Sequence, residues 1–176
     1  MIVEKVSDYL AVKINQNTPN ASSVGVLRYA LIGVINTILI TLMVLVVASI
    51  TGHILSAVVV LVAFPVLRYF SGGLHLNSST KCNILSTLFL LLSIYLPVNY
   101  WYIGFVMNIL SVLILAVYAP SGIERNTLGP KYNPILKAIA VVIVCMNFIF
   151  QSHVLAAAFF LQALTTPPIL RRFIEK

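Results

Sequence analysis

Charge is what this sequence has least of. Only four of its 176 residues are acidic and eleven are Lys or Arg, so charged side chains make up 9% of the chain. A soluble domain carries about 25%. With so few charges and 60% apolar residues, water cannot be the solvent for most of the surface, and lipid must take its place. Cysteine is equally sparse. Cys82 stands among polar residues and Cys145 lies in the apolar run VVIVCMNFIF, which is not a disulfide framework. Repeats and low-complexity tracts are missing, and the length leaves no room for a separate soluble domain. The chain therefore reads as one membrane domain, 1–176. The net charge of +7 fits basic loops that set topology and touch anionic lipid better than it fits nucleic acid.

What the sequence does have is long apolar runs. Six of them, at about 24–50, 53–70, 83–98, 100–119, 134–150 and 153–170, reach or approach the roughly 17–25 residues that cross a bilayer as a helix. The first 20 residues are mixed rather than signal-like. Ile2, Val3, Val6, Tyr9 and Leu10 share one broad face, which predicts an amphipathic helix on the membrane surface. The fold class expected is all-α: a polytopic membrane protein with about six transmembrane helices plus this N-terminal helix.

The cations sort the connections. Lys5, Lys13 and Arg28 precede or open the first run, and Arg68 and Lys81 lie between the second and third. Arg125, Lys131 and Lys137 lie between or beside the fourth and fifth, and Arg171, Arg172 and Lys176 follow the sixth. The other connections, near Thr51-Gly52, Val98-Asn99 and Gln151-Ser152, carry no formal charge. The positive-inside rule then places both termini and the loop at 68–82 in the cytoplasm.

That loop, RYFSGGLHLNSSTKC, is the densest polar stretch beside the membrane. A thiolate is a strong nucleophile, and a histidine within hydrogen-bond reach takes the thiol proton and returns it to a leaving amine. If 75–82 were one helix, His75 and Cys82 would lie about 10 Å apart along its axis, too far for proton transfer. A dyad needs a break. Gly72-Gly73 loosens the chain, and Asn77, Ser78 and Ser79 are good N-cap residues. A helix starting there puts Cys82 near its N-terminus, where the dipole and free N–H groups favour negative charge, with Lys81 adjacent. One Cys and one His give two ligands with no carboxylate nearby, so no metal or cofactor is expected. Taken alone, a Cys in a membrane protein is usually packing and a loop His is usually just solvated.

The pattern R-x(3)-GG-x-H-x(6)-C over Arg68 to Cys82 resembles the accessory gene regulator B (AgrB) family of bacterial membrane cysteine peptidases. The amphipathic start, about six spans and the Tyr118-Ala119-Pro120 step extend the resemblance over most of the chain. The loop SGIERNTLGPKYNP departs somewhat from the family, which often has an acidic residue soon after that proline. The resemblance implies cleavage of the precursor of a cyclic quorum-sensing peptide, with Cys82 as nucleophile and His75 as general base and acid. A thioester on Cys82 would then close to a thiolactone or lactone ring. It implies oxyanion or loop support from Arg68, Gly72 and Gly73. Lys81, Arg125, Lys131 and Lys137 are weaker candidates for docking an acidic precursor tail, and Pro120, Pro130 and Pro134 are expected to hold that basic loop extended. The partners implied are the precursor peptide and the bilayer of the bacterial cell membrane. A homodimer is compatible, although no run carries a GxxxG motif. Cys145, His53 and His153 read as structural, and Asn36, Asn108 and Asn147 as interhelical packing. The rival reading is a small peptide transporter or exporter. Against it stands the poverty of ionisable groups within the spans, where Arg28 is the sole obvious candidate.

Overall fold

The structure, a computed structural model, describes residues 2–18, 20–74, 78–122 and 130–168. Among these, seven α-helices follow one another: α1 (Ile2–Asn17), α2 (Val24–Thr51), α3 (Ile54–Ser71), α4 (Ser79–Tyr95), α5 (Phe105–Tyr118, entered through a π-helical turn at Tyr100–Gly104), α6 (Asn133–Phe150) and α7 (His153–Leu164). The described backbone pairs outside helices at one isolated bridge, Gly72 with Ser121. The protein is all-helical, as composition and periodicity predict.

Four stretches are long and apolar enough to cross a membrane: α2, α3, Tyr100–Tyr118 and α6. Helices α4 and α7 are apolar but shorter, with 17 and 12 residues. At 1.5 Å per residue, a 12-residue helix is about 18 Å long, against a hydrocarbon core of about 30 Å. The sequence places a break or kink of the sixth run at Pro167-Pro168, and α7 stops just before them, at Leu164. Pro167-Pro168 cannot extend the helix, and Thr165 and Thr166 turn their hydroxyls back to the carbonyls of Gln162 and Ala163, both at 2.7 Å. The run at 83–98 is entered as the cap residues predict, with α4 beginning at Ser79, but it ends early, at Tyr95, two residues before Pro97. Pro134 is also corrected: it sits in the first turn of α6, where a missing N–H costs nothing, instead of holding an extended loop.

Helix α7 is short because it is central. Val154, Ala156, Ala157, Ala158, Phe159, Gln162 and Ala163 are buried, and its alanines let neighbours approach closely. One core cluster joins Val44, Ala48, Val60, Phe64, Leu90 and Ala158. The other joins Leu67, Leu115, Ala140, Val144, Phe159 and Ala163. Helices α3 and α7 contribute to both, so they tie the bundle together. Outward faces are apolar: Ile50, Leu55, Val62, Val117 and Ile149 are among the most exposed side chains, the pattern of a lipid-facing surface. Polar groups turn inward. Asn147 donates to Asn108 Oδ1 (3.1 Å) between α5 and α6, and Asn83 donates to Asn36 Oδ1 (2.9 Å) between α2 and α4.

Helix α1 packs along α2 and touches α4. Its protein-facing side is made by Ser7 and Ala11, both fully buried, while Val6 and Tyr9 point outward. Asp8 pairs with Arg28 at 2.9 Å, a half-exposed contact contributing about 0–1 kcal/mol. Glu4 meets the start of α4. Its own backbone N–H and then the Ser79 hydroxyl hold its carboxyl below the ordinary carboxylate range. A depressed folded value means that this contact is fully present above the ordinary range and is lost as pH falls through the folded value. Spin labels at exposed Lys5 and Thr80, with Cys82 and Cys145 replaced by Ser, should hold a short distance at neutral pH and lose it in acid. Glu4→Gln should show the lengthened distance already at neutral pH. An unchanged distance in Glu4→Gln would remove Glu4 from the docking of α1.

Candidate active site

The last turn of α3 carries Arg68, a cation near the end of an apolar helix that needs acceptors. The partly buried guanidinium donates to the Leu74 carbonyl and, at 3.4 Å, to Gln162 Oε1. Gln162 is fully buried on α7. Its Nε2 donates to the Gly72 carbonyl at 2.7 Å and to Ser71 Oγ at 3.1 Å. One amide therefore holds the end of α3, the turn that follows it and the arginine.

That turn needs glycine. Gly72 has φ 67° and ψ −144°, and Gly73 has φ 135°, conformations that L side chains rarely adopt. A Cβ on Gly73 would also lie 2.4 Å from Thr165 Oγ1 and 3.2 Å from Gln162 Nε2. The turn is closed from the other side by the residue after Ala119-Pro120. Gly73 N–H donates to Ser121 O at 2.8 Å, and Ser121 N–H donates to Ser71 O at 3.0 Å. Gly72 N–H donates to Arg68 O at 2.9 Å. Both glycine N–H groups are thus engaged within the protein.

The chain re-enters helix at Ser79, with Ser78 extended at the N-cap position. Cys82 is the fourth residue of α4, and its N–H donates to Ser78 O at 3.0 Å. The thiol is partly buried and reduced. It lines a pocket of about 320 Å³ between α2, α3 and α4, together with Arg68, Asn36, Asn83, Phe64 and Pro65. Arg68 and Cys82 thus belong to the wall of one cavity. His75 lies outside the described residues, in the segment 75–77 that joins Leu74, held by Arg68, to Ser78.

The remaining sequence candidates are not gathered here. Lys81 is exposed on α4 and is not part of the pocket wall. Lys131 is exposed in a 3-10 turn at Pro130–Tyr132, and Lys137 on α6 reaches Val117 O at 3.5 Å. Arg125 lies outside the described residues. His53 and His153 are exposed at the opposite end, where His53 packs edge-on against Tyr95. Sequence reasoning missed Gln162, Ser71, Ser121 and Asn83. The signal available for Gln162 was its isolation, a lone amide in the apolar helix HVLAAAFFLQAL. A polar side chain in such a setting must find a partner.

Gly73→Ala should therefore lower stability by about 1–3 kcal/mol, read by denaturant titration in detergent. Adding Thr165→Ala should recover the part due to the clash and leave the part due to φ. A fully stable Gly73→Ala would show that the turn is not built on these contacts.

No curated protein matches this chain, nor does any solved structure. A family model does: that of accessory gene regulator B covers residues 3–167, nearly the whole length. With the arginine, the glycine turn and the thiol occupying one end of one bundle, the chain belongs to the accessory gene regulator B family.

Proposed function

We propose that the protein is a membrane-embedded cysteine endopeptidase that processes the precursor of a cyclic autoinducing peptide. Supporting this reading, above all, is Cys82 in the first turns of α4, sharing a pocket with Arg68 in a chain of this family. In the proposed reaction His75 takes the Cys82 thiol proton as sulfur attacks a backbone carbonyl near the precursor's C-terminus. The carbonyl oxygen becomes an oxyanion, and the Arg68 cation at the pocket wall favours negative charge developing there. The C–N bond then breaks. His75 returns the proton to the departing amine, the tail leaves, and the acyl group stays on Cys82 as a thioester. A thiol or hydroxyl within the same precursor attacks that thioester, its proton passing through His75 to the Cys82 sulfur as the C–S bond breaks. The ring closes as a thiolactone or lactone. Low water activity beside apolar walls keeps hydrolysis from competing with closure.

The loop at 68–82, both termini and the basic loop carrying Arg125, Lys131 and Lys137 face the cytoplasm in this reading. All six apolar helices α2 to α7 cross or enter the bilayer. The distribution of Lys and Arg along the chain supports that orientation. An exporter without peptidase activity is the competing reading. The Asp8–Arg28 ion pair leaves it no uncompensated charge at the start of α2.

Cys82→Ala in membranes should lower cleavage of the precursor by about 10⁴-fold or more, because nucleophile and base act as one unit. The precursor sought is a short peptide with an amphipathic start, an internal Cys or Ser and an acidic end. Intact-protein mass spectrometry of the wild type should show the precursor's N-terminal part joined to the protein and released by hydroxylamine. Undiminished cleavage by Cys82→Ala would refute the peptidase reading and leave the exporter.

A further inference from the structure

The end of α5 and the start of α6 form an open cavity of about 380 Å³, with Tyr118, Pro120, Asn133, Pro134 and Lys137 in its wall. None of its lining residues belongs to the pocket of Cys82. Two features make the wall positive. Lys137 is partly buried and is the one charged side chain in the lining, with no carboxylate beside it there. Its ammonium has three donors, and among the described residues the fold offers it the Val117 carbonyl at 3.5 Å, beyond the usual length of such a bond. The other feature is the first turn of α6. Asn133 and Pro134 open this 18-residue helix, and no side chain caps it at Tyr132. The positive end of its dipole therefore lies at the cavity. An ammonium and a helix start on one wall favour an anion.

The surroundings decide which anion. Val117 on α5 and Ile135 on α6 are 66% and 55% exposed, and on an apolar bundle such side chains face acyl chains. Tyr118 and Tyr132, next to the ends of the same two helices, are also exposed. Tyrosines in that position mark the headgroup level of a bilayer. The cavity thus lies where acyl chains give way to phosphates, and a basic pocket between membrane helices at that level suits an anionic lipid headgroup. A free anion would use Lys137 but not the apolar flanks. An acidic peptide would bring several charges to a wall with one lysine.

We propose that the cavity between α5 and α6 binds the phosphate of an anionic phospholipid. Lys137 is its counter-ion, and the acyl chains lie along Val117 and Ile135. With no acidic group in the wall to receive a choline, the site selects against a zwitterionic headgroup. The assignment does not depend on the role of Cys82.

Purified full-length protein in detergent is titrated with dioleoylphosphatidylglycerol or dioleoylphosphatidylcholine, and bound lipid is counted by native mass spectrometry. Phosphatidylglycerol should bind more tightly. Lys137→Met, which keeps the aliphatic stem, should cut that preference about five-fold, the effect of one cation at a lipid surface, and Lys137→Arg should keep it. Lys81→Met removes the same charge from an exposed position outside the wall and should also keep it. Asn133→Glu separates binding from folding. Asn133 is exposed, and a carboxylate suits the first turn of a helix. Its charge should nevertheless repel the phosphate and abolish the preference with Lys137 in place. Equal binding of the two lipids by the wild type, or a preference that falls as much in Lys81→Met as in Lys137→Met, would overturn the proposal. Displacement of phosphatidylglycerol by equimolar inorganic phosphate would mark a free-anion site, and displacement by equimolar hexaglutamate a peptide site. Either would overturn it too.

Discussion

A guanidinium placed where lipid replaces water must be given acceptors, and the architecture around Arg68 follows from that requirement. Among the described residues no carboxylate pairs with it. Its hydrogen bonds run to the Leu74 carbonyl and to Gln162. Bringing Leu74 back to Arg68 requires the chain to reverse within a few residues, which is why Gly72 and Gly73 stand at φ 67° and 135°. Bringing Gln162 to the same point requires α7 to pass behind α3, which its run of small residues allows. The Gln162 amide then has a second side to satisfy, and Ser71 and the Gly72 carbonyl take it. Ser121, arriving after α5, uses the backbone groups that remain. Four segments thus meet around one charge, and the Cys82 helix begins five residues after Leu74.

The same rule, that every inward polar group needs a partner, explains most of the other side-chain hydrogen bonds. Ser49, Ser93 and Ser111 return their hydroxyls to carbonyls four residues back, and Asn108 and Asn147 satisfy each other and the backbone around them. Asn83 Oδ1, Ser7 Oγ, Thr87 Oγ1 and Tyr100 OH are the exceptions among the described residues, and of these Asn83 lines the pocket that holds Cys82, Arg68 and Asn36.

The apolar runs were legible in the sequence because lipid imposes them, and the runs that became α2, α3, α5 and α6 needed only small changes at their ends. The start of α4 was legible too, since Asn-Ser-Ser after a glycine pair is a cap signal. The break at Pro167-Pro168 was legible from proline chemistry. What was not legible was that α7 ends earlier still, at Leu164, and that α4 stops at Tyr95, because hydropathy does not register that a helix surrounded by protein need not span the bilayer. In the site, the sequence pointed to Arg68, the glycines and Cys82 by spacing and family resemblance. It did not reveal Gln162 or Ser121, because their roles depend on α7 and the end of α5 meeting the turn, about 90 and 50 residues away along the chain. The basic residues sorted themselves the other way. Lys81, Lys131 and Lys137 looked as promising as Arg68 by charge alone, and packing separates them from the pocket.

The most direct measurement is the alkylation rate of Cys82 as a function of pH, with Cys145 replaced by Ser, compared with the same protein carrying His75→Ala. An activated nucleophile paired with His75 predicts fast reaction well below pH 8, the range in which a free thiol is mostly protonated, and loss of that reactivity in His75→Ala. A thiol that titrates as a free cysteine and does not respond to His75→Ala would contradict the account.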